Sequence, residues 1–426
     1  VVDAAAERGG ATPASARKRL LVISQVYPPD PAAVGQYLAE ASAAIAKRGM
    51  EVRVLTSARG FDDPTAKYPP REMLDGVEVI RMPLSSFGKR SIAHRLVGML
   101  MFLVQTLVRG LFTPRLGAIL VSTSPPLASA VAVFIGWIRR APITYWVMDL
   151  NPDQMIELGK ISERSLAARV FDFFNRLILR RAAGVVALDR FMGDRLCRKH
   201  DVRDKLTVMP PWPHAEHGGG VPHEENPFRK EHGLEGKFVV MYSGNHALTN
   251  PIETILEAAL RMQDRTELMF LFIGGGVRKK SVDDVIAQQR PTNLLSLPYQ
   301  PLETIRYSLS AADVHLVTLG DPAVGCVHPC KVYGALALGR PILYVGPRPS
   351  HVTDLLGEET PSQRIGWALA HGDVEAAIAV LDAIRQTPRG ELAAMGARAE
   401  ALVHERFNSE QMIDEFCEVV LAPLQA

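Results

Sequence analysis

The sequence predicts an α/β protein made of two doubly wound domains that face one another. Three observations carry this. Short apolar runs recur along the chain, each followed by a turn and then a helical pattern, which is the alternation of a parallel sheet. The chain has 426 residues, enough for about two or three domains. Between Pro211 and Pro227 the apolar runs stop, and Pro, Gly and His crowd together as they do in linkers. The expected organisation is therefore an extension at 1–17, a first domain at 18–210, a linker at 211–227, a second domain at 228–408 and a closing helix at 409–426.

Bulk properties exclude some classes. Net charge is +2, with no basic stretch to track a nucleic acid, so none is expected as partner. Four cysteines (Cys197, Cys326, Cys330, Cys417) are too few and too scattered for a disulfide framework, and a reducing cytoplasm is the expected compartment. Cys326-Val-His-Pro-Cys330 lacks a second pair at zinc spacing, and no metal is expected. Residues 1–17 have no apolar core of a secretory signal and read as a mobile extension.

In the first domain, Leu20-Leu-Val-Ile is a buried strand. The loop from Tyr27 to Gly35 follows, then a helix from Gln36 to Lys47 and a second strand from Glu51 to Thr56. This order predicts a ligand at the loop outside the first strand, near Gly35 and Gln36. After the polar stretch from Phe61 to Asp75, Gly76 to Pro83 reads as a strand. The run from Leu96 to Val108 is apolar nearly all round, with Lys89, Arg90, Arg95, Arg109 and Arg115 beside or within it. It is too short and too broken to span a bilayer, which needs ~20 apolar residues. Two readings stand: a helix lying in a membrane surface, or a helix buried on the sheet. Ala118 to Val121 is a strand running into Ser122-Thr-Ser124-Pro-Pro, and a helix from Leu127 to Ile138 follows. The strand from Ile143 to Met148 ends at Asp149. A carboxylate at a strand's carboxyl end is placed to meet a polar ligand in the crevice there, or else to cap a turn. Asp153 reads as a first-turn charge. Ser165 to Arg181 is amphipathic, Gly184 to Leu188 a strand, Asp189 to His200 a helix and Leu206 to Pro210 the last strand.

The second domain opens with a strand from Phe238 that ends at Gly244-Asn245-His246, where a glycine lets backbone approach a phosphate or sugar. A helix from Pro251 to Met262 leads to the strand Leu268 to Ile273. Gly274-Gly-Gly276 and Arg278-Lys-Lys280 come next and suit a pyrophosphate, with Arg278 the expected ligand and the two lysines solvated. Leu294 to Gln300 is a strand and loop. The apolar run Val314 to Leu319 precedes His328-Pro-Cys-Lys331, a short helix pattern, Gly339-Arg-Pro341 and the strand Ile342 to Val345. The phosphate chemistry is expected at this loop-to-helix step. A helix start offers free N–H groups and a partial positive charge, and Lys331 adds a full one. Pro329 fits the first turn.

The run from His328 to Pro347 resembles the donor-binding segment of family 4 glycosyltransferases, which have the two-domain GT-B fold. It is most similar to the subgroup of colanic-acid and capsular polysaccharide assembly, where Pro-Ser-Lys-Leu-Tyr-Gly is usual. Tyr242-Ser-Gly-Asn245, Gly76-Val-Glu-Val-Ile-Arg-Met-Pro83 and Asp149-Leu150 resemble other family segments, and the likeness spans about residues 19 to 421. It implies a retaining hexosyltransferase that takes a UDP- or GDP-sugar, needs no metal, and uses a lipid-linked or other saccharide acceptor at the inner face of the plasma membrane. It implies Asp149 and Lys331 as catalytic residues. The donor would meet Gly244, Asn245, Arg278, Tyr299, Pro329, Cys330, Lys331 and Val332, with Tyr299 backbone along the nucleobase. Gly35, Gln36 and Ser124 would face the acceptor. The final helix would cross back onto the first domain. The family's two glutamates, the second of which grips the ribose, correspond here to Cys326 and Gly334. That departure leaves a catalytically silent subunit, binding a lipid-linked sugar or a partner, as the alternative.

Overall fold

The structure, a computed structural model, describes residues 18–30, 32–60, 65–85, 92–213, 219–360 and 362–425. The expected extension at 1–17 lies outside them, as do Lys89, Arg90, His214 and His217.

The first half contains β1 (Arg19–Ile23), α1 (Ala33–Lys47), β2 (Glu51–Ser57), β3 (Arg71–Leu74), β4 (Val77–Met82), α2 (Ile92–Leu111), β5 (Leu116–Ser122), α3 (Ala128–Arg139), β6 (Ile143–Val147), α4 (Asp153–Glu157), α5 (Leu166–Arg181), β7 (Gly184–Ala187), α6 (Arg190–Lys199) and β8 (Leu206–Val208). Its sheet has the order β3-β4-β2-β1-β5-β6-β7-β8, parallel except for β3 against β4. β1 is buried from Leu20 to Ile23 because helices cover both faces, which is why it reads as an unbroken apolar run. Winding reverses between β1 and β5, so the loops after these strands open a crevice at the carboxyl edge.

The second half contains α7 (Pro227–Glu231), β9 (Phe238–Asn245), α8 (Glu253–Arg261), β10 (Leu268–Gly275), α9 (Lys279–Gln289), β11 (Leu294–Leu297), α10 (Leu302–Ser310), β12 (Val314–Thr318), α11 (Lys331–Ala337), β13 (Ile342–Val345), α12 (His351–Leu355), β14 (Gly366–Leu369), α13 (Val374–Gln386), α14 (Arg389–Arg406) and α15 (Ser409–Leu421). Its sheet is parallel throughout, in the order β11-β10-β9-β12-β13-β14, and reverses between β9 and β12. Both halves are thus doubly wound, as expected.

Several details differ from expectation. α1 starts at Ala33, so Gly35 and Gln36 lie in its first turn. A Cβ on Gly35 would come 3.0 Å from Tyr27 backbone, so this glycine makes room for the returning loop. The polar stretch before Gly76 contains β3, an edge strand held by Arg71–Glu78 and Arg81–Glu72 ion pairs. Charge on that strand hides its alternation. Lys279, expected in solvent, is buried and donates to Asp283 at 2.9 Å from the start of α9.

α15 crosses back onto the first half and packs on α1. Arg48 pairs with Asp414 at 2.6 Å. Phe416 lies 4.2 Å from Trp146 of β6, ring centre to ring centre, and 5.8 Å from Trp212, which lies 5.6 Å from Tyr37. Trp212 is wholly buried, so the segment joining the halves leaves the first sheet through this aromatic cluster. Phe416→Ala removes its central ring and should cost about 3–5 kcal/mol. Chemical denaturation of the variant checks this, and a loss under about 1 kcal/mol would show the cluster to be dispensable.

Candidate functional site

The carboxyl edges of both sheets carry loops that meet. In the first domain, Gln25 N donates to Ser124 O at 2.8 Å, tying the loops after β1 and β5 at the reversal point. Asp149 follows β6 on the same edge. Its backbone N–H donates to Thr123 Oγ1 at 3.2 Å, which fixes the turn. Asp149 lines a narrow crevice with Thr123, Tyr145, Asn151, Phe171 and Asn175. Burial pushes its carboxyl up to about 6. Asp153 behaves as the first-turn charge expected of it, in α4, and pairs with Lys199 at 2.9 Å.

The second domain presents Lys331 at the first position of α11. Its Nζ is shut off from solvent, has no hydrogen-bond partner and lies 3.6 Å from the Tyr242 ring centre. Burial drives the amine down to about 7. Gly244, at φ +123, lies opposite, and a Cβ there would come 3.8 Å from Nζ. His246 Nε2 is also buried without a partner, while its Nδ1 lies 3.0 Å from Gly244 O. Burial and then the Lys331 charge hold this imidazole down at about 4, so it is neutral. Cys330 joins this region to Asp149: burial first, then the Asp149 charge, push its thiol up to about 12. The loops that carry Asp149 and Lys331 meet across the domains, since Leu150 N donates to Cys326 O at 2.7 Å. A ligand that supplies negative charge beside Lys331 satisfies the amine, and a hydroxyl beside Asp149 could give its proton to the carboxylate.

Other expected site residues fall elsewhere. Arg278 donates to Leu248 O at 3.3 Å and pairs with Glu253. It lines a separate cavity of about 540 Å³ with Thr249, Pro251, Asp321 and His371. Its charge is already matched, unlike that of Lys331. Tyr299 is exposed, and its ring covers Gly275, where a Cβ would come 2.9 Å from it. Asn245 is exposed, and its carbonyl accepts from Tyr242 Oη at 2.8 Å. Pro329 and Val332 are buried beside Lys331. Cys326 and Gly334, standing where carboxylates were looked for, are buried as well.

One constellation has no counterpart in the sequence reading. Asp189 caps α6 by accepting from Met192 N at 2.8 Å. Its other oxygen lies 2.7 Å from His328 Nδ1 of the second domain. His328 Nε2 lies 2.9 Å from Tyr333 Oη, which lies 2.6 Å from His351 Nε2. One proton assignment satisfies the whole chain: His351 donates to Tyr333, Tyr333 to His328, and His328 to Asp189. Burial raises the Asp189 carboxyl, but the His328 hydrogen bond outweighs it and the net direction is down. Asp189, His328 and His351 could also hold a metal ion, with ligand atoms within 4.8 Å of one another, but Tyr333 would then have to release both imidazoles. The partners stand 139 residues apart, so no local pattern signals the pair.

The free amine has a consequence for stability. Lys331 titrates near 7 when folded and at 10.5 when exposed. Between those values the unfolded chain holds a proton that the native chain lacks, so stability rises with pH across that window. Below pH 7 the buried charge exerts its full penalty. Lys331→Met, which cannot be protonated, should melt above the wild type at pH 6, and the gap should shrink towards pH 10. Melting curves across this range decide it, and a gap that widens with pH would contradict the assignment.

Comparison with known proteins places these features. Residues 32–212 match the family described as Glycosyl transferase 4-like domain. The chain is 26% identical over 283 residues to the Pseudomonas aeruginosa glycosyltransferase WbjE, covering 65% of this chain and 68% of that protein. It is 24% identical over 339 residues to the Escherichia coli K12 protein WcaI, described as a colanic acid biosynthesis glycosyl transferase, covering 75% and 81%. Among solved structures, Anabaena Alr3699/HepE in complex with UDP-glucose superposes with a TM-score of 0.71 over 95% of this chain and 99% of that one. At 13% identity that likeness shows the fold alone. With two facing doubly wound domains and a C-terminal helix that returns to the first, the chain has the GT-B fold, and its first domain is similar to the glycosyl transferase 4-like family.

Proposed function

We propose that the enzyme moves a hexose-type sugar from a nucleoside-diphosphate donor to a lipid-linked saccharide in cell-surface polysaccharide biosynthesis, with retention of anomeric configuration and without a metal. The observation that carries the reading is the unpartnered Lys331 amine at the start of α11, beside Gly244 and the Tyr242 ring. A diphosphate beside Lys331 returns the amine to its charged form. As the glycosidic bond to phosphate breaks, negative charge grows on the departing diphosphate, and a fixed cation lowers that barrier. Above pH 6 or so Asp149 is a carboxylate that orients the acceptor hydroxyl and takes up its proton. Asp149 acts on the acceptor side rather than as a nucleophile, so transfer occurs on the front face. The ribose is held without a glutamate, since Cys326 and Gly334 occupy those positions. Both curated relatives are named as glycosyltransferases, one of them of colanic acid biosynthesis, and HepE was solved with UDP-glucose.

The lipid part of the reading rests on the outer faces of α2, α3 and α5. These helices pack side by side. Phe102 and Leu103 of α2 point into the core, while Leu100 and Val104 of α2, Trp137 and Ile138 of α3 and Phe173 of α5 are exposed. α2 and α3 contain no acidic residue, and Arg109, Arg140, Arg169 and Arg180, on these three helices or at their ends, are exposed. Such a face suits the headgroup region of an anionic bilayer, on the cytoplasmic side. No helix among the described residues is long and apolar enough to cross a membrane.

Two outcomes test the reading. Lys331→Ala should lower turnover by about 2–4 kcal/mol of transition-state stabilisation, read as nucleoside diphosphate released across a panel of UDP- and GDP-sugars. Near-normal turnover in that variant sinks the assignment. On anionic liposomes the wild type should float at low salt and partly persist at high salt, because the apolar contribution is not screened. Leu100→Glu with Trp137→Glu should abolish flotation and leave the melting temperature unchanged. Wild-type protein that stays out of the liposome fraction at low salt refutes the membrane contact.

A further inference from the structure

The segment that leads into Lys331 is gripped by the opposite domain at four successive points. Arg195 Nε donates to Val324 O at 2.9 Å. Gly325, at φ +72, lies against Phe191, whose carbonyl oxygen would be 2.7 Å from any Cβ there. Leu150 N donates to Cys326 O at 2.7 Å. His328 Nδ1 lies 2.7 Å from Asp189 Oδ2 in a buried pair. Two of these four holds come from α6, a third from its N-cap, and the fourth from the residue after Asp149.

We propose that Asp189 is a positioning residue for donor binding: through His328 it holds the segment that aims Lys331, so the phosphate cation is in place only while the two domains are closed on each other. The inference rests on Lys331 being that cation. The contact is buried and charge-assisted, so it is either made or broken. Opening the cleft would wet Asp189 and strip His328 of its acceptor, and residues 324–331 would lose their external holds together. Lys331 has no hydrogen bond of its own to keep Nζ in register, so its aim depends on the backbone before it. A displacement of about 1 Å in a charged group is enough to weaken its action on a phosphate. Asp189 touches no donor atom in this scheme and acts only through His328.

A double-mutant cycle on the full chain tests this, with dissociation constants for UDP and GDP measured by calorimetry. Asp189→Ser is the first variant, because serine still caps α6 but is too short to reach His328. Gly325→Ala attacks the same grip at Phe191 and carries the cycle if the first variant does not fold. Each alone should weaken nucleotide binding about tenfold, and either should add less than about twofold to Lys331→Ala, the non-additivity of groups acting through one another. Equal losses in both backgrounds would mean independent structural effects and overturn the proposal, as would wild-type affinity in both single variants. If Lys331→Ala itself binds like the wild type, the Lys331 reading falls and this inference falls with it, a pattern distinct from the others.

Discussion

The ring-to-ring contact of Phe416 with Trp146 closes the molecule. It joins the last helix of the chain to a central strand of the first sheet, and Trp212 packs onto both as the chain leaves that sheet. The carboxyl edges of two parallel sheets are where loops, free N–H groups and side chains collect. Two such edges make one site only if the domains are held face to face. The aromatic cluster provides that hold, with the Trp212 indole N–H donating to Glu40 at its edge. Its large buried rings contribute area and fixed geometry together.

Within the cleft the dominant physical quantity is desolvation. Asp149 is pushed up to about 6 and Lys331 down to about 7 by the same cause acting on opposite charges. Each is held near the point where a ligand's charge decides its protonation, which is how groups that handle protons and phosphates are tuned. The buried charges of Arg229 and Asp189 are matched within the protein. Arg229 bonds the carbonyls of Leu234 and Lys237 as well as Ala311, and Asp189 has both Met192 N and His328. Lys331 differs from these: its Nζ lies over the Tyr242 ring and beside Gly244, with no hydrogen-bond partner.

The elements were legible where one local pattern governs them. β1, β12 and β13 are buried on both faces and read as plain apolar runs; Gly339 at φ +63 and Pro341 mark the stop after α11. α15 showed its period as well as its bounds. β3 did not, because an edge strand can be charged. Nor did α13 and α14, which lie beyond the stretches where the family likeness is dense. The sequence singled out both Lys331 and Arg278, since the residue type and loop of each suit a phosphate; what separates them is Glu253, twenty-five residues from Arg278, which pairs with one and not the other.

The sequence by itself determined the alternation of strand and helix and the doubly wound class of both halves, and it carried the family resemblance, because each is written in neighbouring side chains. Tertiary structure decided which of the candidate charges stays unmatched, that α2 turns Phe102 inward and Leu100 outward, and that Asp189 meets His328 across the domains. The reason is one of range. Periodicity and turn chemistry act over a few residues, whereas the state of a charge depends on every group that folding brings within a few ångströms of it, wherever along the chain that group began.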